Sequence, residues 1–191
     1  MERSGTTIIE EWEKVEIPPP PELQQVTVDP ETTALLILDI QQQNCNVERR
    51  PRCVASVPKI RELLARARGV GMAVVYSLTS TAEVSDVREE VAPVAEESVV
   101  KSSVDKFYNT DLEEILQTRG IETVIVAGTS AHGAVLHTAT TAALRGLRVI
   151  VPVDGLSAGE AYAEQYTCWH LANGPGTRRQ AVLTRMDMID F

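Results

Sequence analysis

Apolar residues come in short blocks along most of this chain, with two kinds of internal spacing. Ala34-Leu-Leu-Ile-Leu-Asp39 is an uninterrupted apolar run closed by a carboxylate, the pattern of a strand buried on both faces. Met72–Tyr76, Thr123–Ala127, Leu147–Val153 and Ala181–Thr184 repeat it. Between these blocks, Pro58–Arg68 sets Ile60, Leu63, Leu64 and Ala67 on one helical face and stops at Gly69, as an amphipathic helix does. Asp111–Gly120, Ala131–Arg145 (ended by Gly146) and Gly159–Asn173 predict three more helices. Strands alternating with helices over short loops demand right-handed crossovers and a parallel sheet covered on both faces, a three-layer α/β sandwich of Rossmann type. Its site is expected outside the carboxyl ends of the strands.

Residues 1–30 break this pattern. Ile17-Pro-Pro-Pro-Pro-Glu22 contains four consecutive prolines, which favour an extended conformation and lack donors for a sheet. We read 1–30 as an extended Pro-rich arm that wraps over its own domain or a neighbouring subunit, with Trp12 as its anchor; a floppy tail is the alternative. Residues 31–191 form the α/β domain.

Composition narrows the function. The 191 residues suit about one domain. They carry 27 acidic and 18 basic side chains, a net charge of −9, which argues against nucleic acid or an anionic membrane as partner. No apolar stretch approaches the roughly 20 residues of a membrane span, and no signal peptide is visible at the N-terminus. Cys45, Cys53 and Cys168 are odd in number and spaced unlike zinc ligands, which suggests a reducing cytosol rather than a disulfide framework. The expected location is the cytoplasm.

Three places sit where strands end. Asp39 closes the first strand; partly desolvated there, its carboxyl is a candidate for acid–base work, and a turn cap is the alternative. Lys101 follows two β-branched residues and can supply a cation to a neighbouring anion; Lys106 lies five residues on. Gly128-Thr-Ser-Ala-His-Gly-Ala134 joins a strand to a helix, where amides can receive a carboxylate or an oxyanion. Its glycines lack the spacing of a nucleotide-binding loop. His132 lies in this turn, and His137 reads as a packing residue of the helix.

These places, in this order, resemble the isochorismatase-like hydrolases, also called cysteine hydrolases. The match runs through Leu35-Leu-Ile-Leu-Asp-Ile-Gln41, Lys101 nine residues before Thr110-Asp-Leu112, Val124-Ile-Val-Ala-Gly128, Thr138-Ala139, Ala142 and Gly146–Asp154, and covers about residues 32–186. The resemblance implies a six-stranded parallel sheet, a homo-oligomer (dimer or tetramer), a small-molecule substrate and a catalytic Asp, Lys and Cys. The aspartate falls on Asp39. The family's K-x-x-x-S-A-F segment aligns with Lys101–Phe107, so the catalytic lysine falls on Lys101, and Lys106, where the family has a small residue, becomes a substrate contact. Gln41, Ser130, Ala131, His132 and Gly133 fall in the oxyanion and substrate-binding set, and a non-proline cis peptide is implied between Thr129 and Ser130.

The nucleophilic cysteine falls on Ala134, which cannot form a thioester. Of the cysteines present, only Cys45 is placed near the cleft as a relocated nucleophile. Three readings stay open. In the first, Asp39 acts as an acid without a nucleophile, as in the family members that cleave a vinyl ether, whose Ala-His turn matches Ala131-His132. The second is a cysteine amidohydrolase whose nucleophile has been replaced, and the third a non-catalytic ligand-binding member. The metal ligands of the family's nicotinamidases have no counterpart, because no histidine occurs before His132; no metal or cofactor is expected. Lys101, Lys106 and the helix N-terminus suggest a substrate bearing a carboxylate.

Overall fold

In the computed structural model, which describes residues 6–191, the elements follow in the order β1 (Val26–Thr27), β2 (Thr33–Leu38), α1 (Pro51–Gly69), β3 (Ala73–Leu78), β4 (Ser98–Lys101), α2 (Leu112–Thr118), β5 (Thr123–Thr129), α3 (Leu136–Leu144), β6 (Arg148–Pro152), β7 (Leu156–Ser157), α4 (Ala161–Asn173), β8 (Ala181–Thr184) and β9 (Ile189–Asp190). Every residue of β2 and β5 is buried, which is why both read as unbroken apolar blocks. Alternate β2 residues feed opposite cores, as the two-residue period of a strand requires. Ala34, Leu36 and Leu38 join Ala139 and Ala142 of α3 on one face. Leu35 and Ile37 meet Ile60, Leu63 and Leu64 of α1 on the other.

The main sheet runs β4-β3-β2-β5-β6-β8, and β7 pairs with the end of β5, giving seven strands, all paired in parallel. One strand more is present than the resemblance implies, because two residues after β6 return to Gly128 and Thr129. The apolar pattern misses β4 because this outer strand is only partly covered, with Val100 buried and Lys101 exposed.

Helix α1 begins at Pro51 and runs through Pro58, seven residues earlier than its apolar periodicity suggests. Pro51 sits in the first turn, where its missing donor costs nothing. The interior Pro58 costs about 3 kcal/mol; burial of Cys53 and Val57 along with Ile60, Leu63, Leu64 and Ala67 opposes it. The predicted Ala131–Arg145 helix is regular only from Leu136, since Gly133 interrupts it at φ −109°, ψ −106°.

Residues 1–5 of the arm lie outside the described residues. The rest lies on its own domain: Trp12 meets Tyr162 with ring centroids 6.5 Å apart, and Leu23 packs against the core. The Gln24 amide donates to Leu183 O at 2.9 Å, Thr184 Oγ1 donates to Gln24 O at 2.6 Å, and β1 pairs with β9.

The cysteines correct the expectation of free thiols. Cys45 and Cys53 form a disulfide with Cα atoms 5.3 Å apart, inside the usual range for the bond. Cys168 is free, and burial pushes its thiol up to about 11. Among the described residues, no helix is long and apolar enough to cross a membrane.

Candidate active site

β2 lies between β3 and β5, with Leu38 opposite both Ser77 and Gly128. The chain leaves β2 towards β3 on one side, and leaves β5 towards β6 on the other, so the carboxyl ends of β2 and β5 border a topological switch point. Asp39 turns off β2 in the left-handed region at φ 52°, which Asp tolerates better than most residues. Its amide donates to Ser77 O at 3.2 Å. Gly128 is at φ 140° against β2, and a Cβ there would stand 2.1 Å from Leu38 O.

Both oxygens of Asp39 are engaged. Ser77 Oγ donates to Oδ1 at 2.8 Å, and Lys106 Nζ stands 2.9 Å from Oδ2. The Lys106 ammonium also meets Ser102 O at 2.9 Å and Leu78 O at 3.4 Å. Asp39 is 3% exposed and Lys106 0%. Burial holds the Asp39 carboxyl above the usual Asp range, against the opposing pull of Lys106. The arrangement therefore favours a carboxyl that keeps its proton longer than a solvated one, beside a fixed cation.

This differs from the alignment, which gave the catalytic lysine to Lys101. Lys101 Nζ pairs with Glu83 at 2.7 Å, with side chains 40% and 73% exposed. The pleat of β4 explains it: Val100 faces inward, so the next residue faces out. After β4, Ser102 Oγ donates to Asp105 O and Tyr108 O. That turn carries Lys106 back beneath the strand ends, and its amide donates to Thr138 Oγ1 at 3.1 Å.

The third place is the turn after β5. The Thr129–Ser130 peptide is cis. Ser130 O accepts from the Gly133 amide at 3.0 Å and the Val135 amide at 3.2 Å, which folds the turn over itself. Ala131 and Ala134 are both buried. His132 is exposed, away from the buried Asp39–Lys106 pair. With His137, His170, Glu160, Tyr162 and Tyr166 it lines a groove of about 600 Å³ over α3 and α4, which Asp39 and Lys106 do not border. Although three histidines share that groove, among the described residues no three His, Cys, Asp or Glu side chains are grouped to hold a metal.

Gln41 is buried beside the site, but its polar atoms serve the protein: Oε1 accepts from Asn44 at 3.0 Å and from Thr79 at 3.3 Å. Cys45 is spent in the disulfide and offers no thiolate. Ser77, absent from the sequence-derived set, holds Asp39 directly; a lone hydroxyl near the end of the apolar run Tyr76-Ser77-Leu78 was its signal.

A family model, the isochorismatase domain, matches residues 33–186. The chain belongs to the isochorismatase family. Its curated relatives include a secreted isochorismatase effector of Verticillium dahliae, 28% identical over 142 residues that cover 68% of this chain and 75% of the effector. A streptothricin hydrolase of Streptomyces noursei is 32% identical across 63% of this chain. This isochorismatase-family chain spans about half, 52%, of that enzyme's length. Among solved structures, N-carbamoylsarcosine amidase from Thermoplasma acidophilum superposes with a TM-score of 0.69 at 26% identity, covering 82% of this chain and 97% of that one.

Proposed function

We propose that this family member hydrolyses a small, carboxylate-bearing organic molecule at the Asp39–Lys106 pair, without a cysteine nucleophile. One observation carries the reading: a buried carboxyl, raised above its ordinary range, is braced by Ser77 and Lys106 at the strand ends; the motif resemblance reads the family's thiol position as Ala134, a buried methyl. Chemistry with an acid and no nucleophile fits vinyl-ether hydrolysis. Protonated Asp39 delivers its proton to the enol-ether carbon, and the ether oxygen's lone pair stabilises the oxocarbenium ion that forms. Water adds to that ion and returns a proton to Asp39, and the hemiketal collapses to a ketone and an alcohol. Lys106 stabilises the transient carboxylate of Asp39. The amides of Ser130 and Ala134 face the substrate's negative oxygen; among the described residues, no acceptor engages the Ser130 amide. Lys101 has no part in the step.

Turnover of isochorismate, followed by release of pyruvate, tests the reading. Asp39→Asn keeps the size and loses the transferable proton, so its kcat falls by at least about a hundredfold. Unchanged turnover in that variant overturns the assignment.

The likeness to an amidase favours a second reading, in which the pocket takes amides and position 134 is where a thiol acted. Ala134→Cys discriminates: amide hydrolysis with a covalent intermediate on residue 134 supports the second reading, and its absence supports the first.

A further inference from the structure

The loop between β2 and α1 presents a cation that the chemistry above does not use. Arg50 stands at the head of α1. Its amide donates to Asn46 O at 2.9 Å, and its carbonyl accepts from the amides of Cys53 and Val54 at 3.0 and 3.3 Å. The side chain turns back across the loop, where Nη1 makes one long bond to Asn44 O at 3.3 Å. Asn44 donates to Gln41, Gln41 Nε2 reaches Ser77 O, and Ser77 Oγ holds Asp39. The guanidinium is therefore joined to Asp39 through Asn44, Gln41 and Ser77, by bonds to both side chains and backbone, and the two charges act on each other.

Among the described residues, Arg50 is one of the arginines without a carboxylate partner, and its charge acts on Asp39. Arg52, Arg68, Arg88, Arg145 and Arg185 each pair with a carboxylate. Among the described residues, no carboxylate lies within 4.0 Å of Arg50. Yet Arg50 is partly buried, and loss of water lowers its pKa, with the charge of Arg49 adding to that shift and Asp39 opposing it. A half-desolvated guanidinium with open donors and a planar fork suits one ligand above others, a carboxylate bound by two parallel hydrogen bonds. It also answers an electrostatic difficulty. A molecule of net charge −9 repels an anionic substrate unless its entrance is locally positive.

The loop is built to hold that group still. The Cys45–Cys53 bridge ties the middle of the loop to the first turn of α1, the Cys45 amide donates to Gln41 O at 2.7 Å, and Arg88 Nη1 donates to Cys45 O at 3.0 Å. A receptor fixed before its ligand arrives loses less ordering entropy on binding. We infer that Arg50 is the carboxylate receptor of the Asp39 site, a specificity-determining residue presented by a loop that the Cys45–Cys53 bridge keeps in place. The inference rests on reading the Asp39–Lys106 pair as the reaction site.

The test uses benzoate as the anionic probe and benzamide as its neutral counterpart, titrated into the full chain and followed by NMR chemical-shift changes. Benzoate binds the wild type, and Arg50→Gln weakens it about tenfold or more, while benzamide affinity changes less than about twofold. Arg50→Lys recovers only part of the loss, because an ammonium cannot form the fork. The double variant Cys45→Ser with Cys53→Ser, its fold checked by circular dichroism, binds benzoate several-fold more weakly than wild type. Equal benzoate binding by wild type and Arg50→Gln, or no benzoate binding at all, overturns the assignment of Arg50. Neither result touches the role of Asp39, which is read separately from turnover of Asp39→Asn.

Discussion

Two lysines five positions apart occupy opposite environments, and the difference decides what each contributes. Lys106 has no exposed surface and meets Asp39 and backbone carbonyls; Lys101 is at the surface with Glu83. Removing one partner of a buried pair leaves an uncompensated charge and costs about 3–5 kcal/mol. Lys106→Met is therefore expected to lower Tm by about 6–20 °C on thermal unfolding and to abolish turnover. Lys101→Ala, an exposed pair, changes stability by at most about 1 kcal/mol and leaves turnover intact. Asp39 supplies the pH dependence. Burial raises its folded pKa above the ordinary Asp value, so the native state holds the proton more tightly than the unfolded chain does. The stability it confers is complete below that unfolded value and is lost as pH rises through the folded one. Unfolding in urea across this window is expected to show wild type losing ground to Asp39→Asn as pH rises. On the proposed mechanism turnover needs the protonated acid, and it is expected to fall over the same rise.

At the level of strands and helices, the site depends on how closely β5 approaches β2. Gly128→Ala would drive a methyl to 2.1 Å from Leu38 O at φ 140°, a clash with backbone that cannot rotate away. We expect a loss above about 4 kcal/mol in urea unfolding, at the extreme for a single methyl. Gly69→Ala, at the end of α1 with nothing within 4 Å, is the control and is expected to stabilise by up to about 1 kcal/mol. The same elements show what the sequence makes legible. β2 and β5 announce themselves because both faces are buried, and Asp39 follows from the end of β2. β4 is hidden because half of its surface is wet, so motif alignment could register Lys101 but could not tell which way its side chain points. The choice of Lys106 depends on strand pleat and on the turn that Ser102 fastens, which are three-dimensional facts. The start of α1 is misjudged for a related reason: Pro51 and Pro58 are equally good openings in one dimension, and only packing against β2 selects the first.

Across the whole molecule, the cysteine count proved a poor guide. An odd number of thiols implied reduced residues, yet one pair closes between the β2–α1 loop and the start of α1, and such bridges persist in oxidising surroundings. The cysteine count therefore no longer argues for a cytoplasmic location. The arm has a wider role than its prolines suggest. Strand β8 spends one side on β6; its other side would face solvent with unpaired backbone groups, and Gln24 meets it at Leu183 O and Thr184 Oγ1. An open strand is a template on which another chain can add. A protein begun at residue 31 is expected to self-associate with rising concentration, seen as growing light scattering, while the full chain stays dispersed. The four prolines just ahead of Gln24 have no amide hydrogens to offer, so that stretch of the arm presents no row of donors on which a further strand could add.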